Sequence, residues 1–245
     1  MGRLRILQFD VPAARFDEAV AFWAAALAAE PGDAPGAFVH LVDAAAAVEV
    51  HLQTVGDGPP RCHLDVEADD RHREAARLTA AGATHLGRFD AGGYTVLADP
   101  AGLPFCVVAP TAAAPTPVAP RRGDRGYLGA VVIDVPAAAT ESAVTFWSTA
   151  LELDPAGVTA APPFHVLPGV PGPGGAVQLL VQTVGAGTAA RVHPDLIADA
   201  PDAEARRLVG LGARHLGTYE HWITLRDPVD IPFCVVAADQ VATVD

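Results

Sequence analysis

The chain contains no lysine and no asparagine, and its only serines are Ser142 and Ser148. Without lysine no Schiff base can form, and two serines inside helical patterns leave no Gly-x-Ser-x-Gly elbow for an acyl-enzyme. No P-loop or Gly-x-Gly-x-x-Gly string is present either. Any chemistry therefore falls to histidine, carboxylate, cysteine, tyrosine, arginine or a bound metal. Cysteine is scarce too. Cys62, Cys106 and Cys234 are odd in number and show no Cys-x-x-Cys spacing, as expected of free thiols in a reducing compartment. Basic residues number 16 against 29 acidic ones, and the net charge of -13 repels a phosphate backbone and an anionic membrane surface. Nucleic acid and membrane are excluded as partners on that ground. No apolar stretch of signal-peptide length precedes Asp10, and no run of about 18 apolar residues occurs anywhere, so a cytoplasmic protein is expected.

What the sequence does have is a repeat. Asp10-Val-Pro-Ala-Ala14 recurs as Asp134-Val-Pro-Ala-Ala138, and Phe22-Trp23 recurs as Phe146-Trp147. Gln53-Thr-Val-Gly56 recurs as Gln182-Thr-Val-Gly185, Arg61-x-His63-x-Asp65 as Arg191-x-His193-x-Asp195, and Pro104-Phe-Cys-Val-Val108 as Pro232-Phe-Cys-Val-Val236. A period above 100 residues means a duplicated domain and not a solenoid. The boundary falls in the Ala/Pro/Thr stretch from Pro110 to Arg125, read as a semi-rigid linker. The second copy has an additional Pro/Gly-rich stretch, Pro168 to Gly175, read as a loop.

Each copy shows strand-then-helix patterning twice. Leu4 to Val11 alternates as a strand, and Phe16, Val20, Trp23 and Leu27 follow at helical spacing. Strands at Phe38–Val42, Val48–Val55 and Cys62–Val66 come next. An amphipathic helix then runs from Asp69 as N-cap to Gly82 as stop, and strands at His85–Phe89, Tyr94–Ala98 and Pro104–Val108 complete the unit. The expected fold is α+β, with two tandem domains (1–110 and 126–245, linker 111–125). Each domain is a pair of βαβββ modules in a curled sheet, with helices outside and a concave ligand cavity.

Period-2 alternation sorts each strand into two faces. Opposite the helix-packed face stand Gln8 and Asp10 on the first strand; Glu49, His51 and Gln53 on the fourth; Arg61, His63 and Asp65 on the fifth; Cys106 on the last; and Tyr94 between. The second copy offers Gln178, Gln182, Arg191, His193, Asp195, Trp222 and Cys234.

The paired βαβββ order, Phe-Trp in the first helix, the fifth-strand histidine and Asp99-Pro-Ala-Gly102 or Asp227-Pro before the last strand resemble the vicinal oxygen chelate superfamily. That superfamily includes glyoxalase I, bleomycin-resistance proteins and extradiol dioxygenases, and the likeness is greatest to its glyoxalase-like branch with two fused domains. It covers nearly the whole chain apart from linker and termini. The resemblance implies metal ligands on the first, fourth, fifth and eighth strands, in the pattern His or Gln, Glu, His, Glu. Here the positions hold Gln8 (or Leu4 with another gap), His51 or Gln53, His63 and Cys106. In the second copy they hold Val132, Leu180 or Gln182, His193 and Cys234. Neither copy carries the full set.

Two readings stand for each feature. Gln8, His51 and His63, with or without Cys106, form an open site for a divalent ion such as zinc or nickel, or His63 is simply held by Arg61, Asp65 or both and Cys106 fills space. Arg61 and Asp65 bind a substrate anion and orient His63 as acid or base, or they stabilise one another. Tyr94 and Trp222 stack on a planar ligand, or pack in the core. The expected function is small-molecule binding, as a glyoxalase-like lyase or isomerase with His63, Arg61 and Asp65 catalytic. The alternative is a metal-free protein sequestering an antibiotic or metabolite, like bleomycin-resistance proteins. The duplicated chain is expected to be a monomer acting as a pseudo-dimer, or a homodimer.

Overall fold

A computed structural model describes residues 2–32, 38–42, 48–56, 58–110, 125–172 and 175–240. The linker expected at 111–125 lies outside the described residues except for Arg125. The first half comprises β1 (Arg3–Pro12), α1 (Phe16–Leu27), β2 (Glu30–Pro31), β3 (Phe38–Val42), β4 (Glu49–Val55), β5 (Arg61–Glu67), α2 (Arg71–Ala80), β6 (Thr84–Phe89), β7 (Tyr94–Ala98) and β8 (Pro104–Val108). The second half repeats the order with β9 (Tyr127–Pro136), α3 (Thr140–Ala150), β10 (Thr159–Ala161), β11 (Phe164–Gly172), β12 (Gly175–Val184), β13 (Arg191–Ala198), α4 (Pro201–Gly210), β14 (Arg214–Thr218), β15 (Trp222–Arg226) and β16 (Pro232–Ala237).

Within each module the first strand lies parallel to the last, with the other two beyond it. Thus β1 pairs β4 in parallel, β4 pairs β3 and β3 pairs β2, while β5 pairs β8, β8 pairs β7 and β7 pairs β6. The modules of a half meet where β1 runs antiparallel to β5, as β9 does to β13. A single residue pair, Val192 with Cys62, joins β13 to β5 and makes the sheet continuous between halves. Among the described residues no helix is long and apolar enough to cross a membrane.

The alternation read from the sequence is the alternation of the structure. Leu7, Phe9 and Val11 of β1 and Cys62, Leu64 and Val66 of β5 are buried in the apolar core. That core is capped by exchange between the halves. Trp23 of α1 lies 4.6 Å from Phe9 of its own half and 5.2 Å from Phe233 of the other, and its Nε1 donates to Asp227 Oδ2 at 2.9 Å. Trp147 of α3 reciprocates, 5.2 Å from Phe105 and donating to Asp99 Oδ2 at 3.0 Å. The other oxygen of each aspartate accepts two backbone N–H groups of its own turn, those of Ala101 and Leu103 or of Val229 and Ile231. The Asp-Pro turns therefore fix the approach to the last strands and anchor the opposite half.

Two expectations need correction. Pro168 to Gly175 is not a loop, because β11 continues to Gly172 and pairs with β12 from Gly175, with residues 173–174 outside the described set. Backbone pairing with a neighbouring strand overrides the composition there. The cap of α2 is Asp70, not Asp69: its carboxylate accepts from Arg73 N at 3.0 Å, which sets the helix start one residue later. The short edge strand β2 carried no sequence signal of its own, since two residues are too few for periodicity.

Candidate functional site

A cavity of about 900 Å³ opens on the concave face of the first half. Its wall includes every first-half residue expected at a site: Gln8, His51, Gln53, Arg61, His63, Asp65, Tyr94 and Cys106. The register explains the convergence. Gln8 stands between its neighbours, paired with His51 on β4 and His63 on β5, and Asp65 stands beside Cys106 on β8.

The centre of the polar network is Asp10, which faces the cavity one alternation beyond Gln8 and had been given no role. Its Oδ2 accepts from Arg61 Nε at 2.8 Å and lies 3.2 Å from His63 Nδ1, while Oδ1 accepts from Gln53 Nε2 at 2.7 Å. Burial opposes ionisation of Asp10, but the hydrogen bond and charge of His63, with Gln53 and Arg61, hold its carboxyl at about 2. Of Arg61 and Asp65, read as holding His63 singly or together, Asp65 is the one beside it. Arg61 turns to Asp10, because β1 brings that carboxylate directly opposite it in register.

His63 Nε2 faces the other way, 3.1 Å from Asp65 Oδ1 and 3.7 Å from Cys106 Sγ. Burial alone would depress the imidazole, yet the hydrogen bond to Asp10 and the Asp65 carboxyl within ion-pair distance raise its pKa well above the ordinary histidine value. The surroundings of His63 thus favour its protonated form. Burial pushes the Cys106 thiol up, partly offset by His63, which favours the thiol over the thiolate.

A second group on the same wall is Glu49 and His51, which alternation puts on one face of β4, with His40 of β3. His51 Nε2 lies 3.1 Å from Glu49 Oε2, and Arg5 NH2 lies 2.6 Å from Oε1. The hydrogen bond from His51, with Arg5 and against burial, holds Glu49 at about 2. Tyr94 stacks on Phe89 with ring centres 4.9 Å apart, and both line the cavity. Phe89 ends a strand and is half exposed, which alternation alone does not flag.

In the second half the equivalent residues converge around Asp134. Arg191 Nε lies 2.7 Å from Asp134 Oδ2, His193 Nδ1 lies 3.3 Å from it, and Gln182 pairs with Asp134 in register. Trp222 stacks on Tyr219 at 5.0 Å, as Tyr94 does on Phe89. Opposite His193, however, stand Val132 and, beyond it, Leu180.

A family model for the glyoxalase-like domain matches residues 7–108 and 130–236, one repeat in each half. The chain belongs to the glyoxalase-like domain family. Solved structures agree on the fold. The Mn(II)-bound glyoxalase from Novosphingobium aromaticivorans superposes with a TM-score of 0.67 at 17% identity, over 97% of this chain and 83% of that one. The 2,2',3-trihydroxybiphenyl 1,2-dioxygenase from Sphingomonas wittichii strain RW1 gives 0.63 at 14%, over 96% and 90%. A catechol 2,3-dioxygenase gives 0.60 at 14%, over 97% and 89%. No curated protein matches the sequence. These likenesses show the fold, and with the family match they are consistent with the resemblance to the vicinal oxygen chelate superfamily.

The superfamily's metal was tested against the residues present. In the four-strand set Gln8 Nε2 is directed to Phe9 O at 3.5 Å, and a thiol stands on β8 where the resemblance implies a carboxylate. Another set of donors is gathered closely. Ligand atoms of His63, Asp65 and Cys106 all lie within 4.8 Å of one another, and Asp65 Oδ1 is buried without a hydrogen-bond partner among the described residues. Nitrogen, oxygen and sulfur donors together suit a borderline divalent ion. His40, Glu49 and His51 are as close, but there both Glu49 oxygens are already engaged.

Proposed function

We propose that this glyoxalase-like protein is an enzyme of lyase or isomerase type that binds a small molecule in the first-half cavity. The observation that carries the reading is His63, fixed by Asp10 at Nδ1 and presenting Nε2 on the cavity wall beside Asp65 and Cys106. A fixed imidazole is a proton donor and, once it has given up the proton, an acceptor for a carbon-bound hydrogen next to a carbonyl. Asp10 keeps the tautomer and orientation, and Asp65 stabilises the protonated form. The Arg61 side chain, 57% exposed while tied to Asp10, sets a positive charge at the wall, where an anionic substrate group or a developing enolate is stabilised. Phe89, Tyr94 and Phe38 line the same cavity and supply apolar faces for a planar ligand. A divalent ion such as zinc or nickel held by His63 Nε2, Asp65 and Cys106 would supply Lewis-acid polarisation of a ligand oxygen in place of proton transfer at His63.

Sequestration without turnover is the second reading, favoured by the mutual satisfaction of Asp10, Gln53 and Arg61. The two separate in one experiment. The purified chain is screened by thermal shift against hemithioacetals, catechols and 2-hydroxyketones, and hits are followed by NMR for conversion. Conversion that disappears in His63→Gln while the thermal shift persists supports the enzyme. A ligand bound and returned unchanged supports sequestration, and conversion unaffected by His63→Gln overturns the assigned site.

A further inference from the structure

The strongest unexplained feature outside the first-half cavity is a duplicate of the three-donor cluster. On β13 and β16 Asp195 stands beside Cys234 in the register that places Asp65 beside Cys106 on β5 and β8. Ligand atoms of His193, Asp195 and Cys234 lie within 4.8 Å of one another, and His193 Nε2 is 3.4 Å from Asp195 Oδ1. The facing strands differ between halves, since Val132 stands where Gln8 does, yet the cluster itself is unchanged.

The same atom is orphaned in both. Asp65 and Asp195 are 6% and 8% exposed, and the Oδ1 of each is buried with no hydrogen-bond partner among the described residues. The histidine nitrogen lies within ion-pair distance without hydrogen-bond geometry. Neither arginine of the motif relieves the orphan, because Arg61 and Arg191 are spent on Asp10 and Asp134. A buried carboxylate oxygen that lacks a hydrogen bond at equivalent positions in two halves, with a histidine Nε2 at 3.1 or 3.4 Å, is a place where a metal ion can take the histidine proton's position. The supporting shell also repeats: Asp10 and Asp134 lie against Nδ1 of His63 and His193, so each imidazole directs Nε2 inward.

We propose that each half binds one divalent cation of the zinc class, through His63 Nε2, Asp65 Oδ1 and the Cys106 thiolate in the first half and through His193, Asp195 and Cys234 in the second. The carboxylate comes from the strand that bears the histidine, two residues on, and the thiol takes the last-strand place. Each thiol and each imidazole Nε2 loses its proton to solvent as the metal–sulfur and metal–nitrogen bonds form. Three protein donors leave a coordination position free in each half. The first of these sites rests on reading the cavity as the functional one, whereas the second does not.

The test is stoichiometry on the full-length chain. Protein stripped with chelator and dialysed against Zn(II) is expected to retain two equivalents by elemental analysis. Cys106→Ser and Cys234→Ser are each expected to lose one. Cobalt(II) in place of zinc is expected to give a near-ultraviolet sulfur-to-cobalt charge-transfer band that halves in each variant and vanishes in the double variant. Asp195→Asn repeats the loss of one equivalent without touching a thiol, and serves if Cys234→Ser does not fold. No retained zinc overturns both sites, and one equivalent lost only with Cys106→Ser overturns the second. Two equivalents insensitive to all three substitutions place the ions elsewhere and also overturn the proposal. Two bound ions in a chain that takes up no small ligand overturn the functional reading and leave this one standing.

Discussion

At the scale of single residues, Asp10 decides how the site is charged. Its pKa falls from 3.8 to about 2 in the folded chain, so it contributes stability that is present above pH 4 and lost as pH falls through 2. His63 has the opposite sign: its raised pKa contributes stability present below 6.5 and lost as pH rises through the folded value. Their pairing is strongest between these limits. Asp10→Asn is expected to destabilise the protein by about 2 kcal/mol at pH 5, a difference that shrinks toward zero by pH 2 in urea titrations. The same variant lowers the His63 pKa, readable in the imidazole NMR titration, and an unmoved His63 would sink the assignment. His63, Arg61 and Asp65 were legible because alternation reveals a strand's polar face. The role of Asp10 was not, because a carboxylate's partners depend on which strand lies opposite and in what register.

At the scale of elements, period and cap signals located the helices and most strands, while hydrogen-bonded neighbours decided the rest. Val170 to Gly172 became strand because β12 offered a partner, information absent from local composition. Helix ends show the same dependence. The last carbonyls of α1, on Ala25 and Ala26, accept from Arg207 of α4 in the other half, and those of Thr149 and Ala150 accept from Arg77 of α2. Each arginine also bonds a buried glutamate of its own helix, Glu204 or Glu74. Arg207→Met leaves Glu204, 1% exposed, charged and unpaired, and is expected to cost about 3 kcal/mol in equilibrium unfolding. Glu204→Gln added to Arg207→Met is expected to restore part of that loss. If the second change adds to the damage, the buried charge is not its cause.

At the scale of the molecule, the repeat revealed two similar halves but not that each lends a helix to the other. Phe22 and Trp23 were readable as core, yet the core they enter includes Phe233 of the second half. The bond that locks this exchange sits on a carboxyl of unusual acidity. Burial, opposed by its hydrogen bonds to Ile231, Trp23 and Val229, raises Asp227 from 3.8 to about 6. A raised carboxyl means the fold binds a proton that the unfolded chain releases, so the contribution of Asp227 is present below pH 3.8 and lost as pH rises through 6, about 3 kcal/mol in all. Above pH 6 the Trp23 indole N–H offsets part of this cost, since a donor to a charged acceptor contributes more than a donor to a neutral one. Trp23→Phe keeps the ring contacts and removes that donor. It is therefore expected to destabilise the protein more at pH 7.5 than at pH 5, with the difference on the order of 1 kcal/mol in urea unfolding at the two pH values. Trp147→Phe is expected to act in the same direction through Asp99, which burial also raises. Equal losses at both pH values would mean that the tryptophans join the halves by packing alone and that the carboxyls are bystanders.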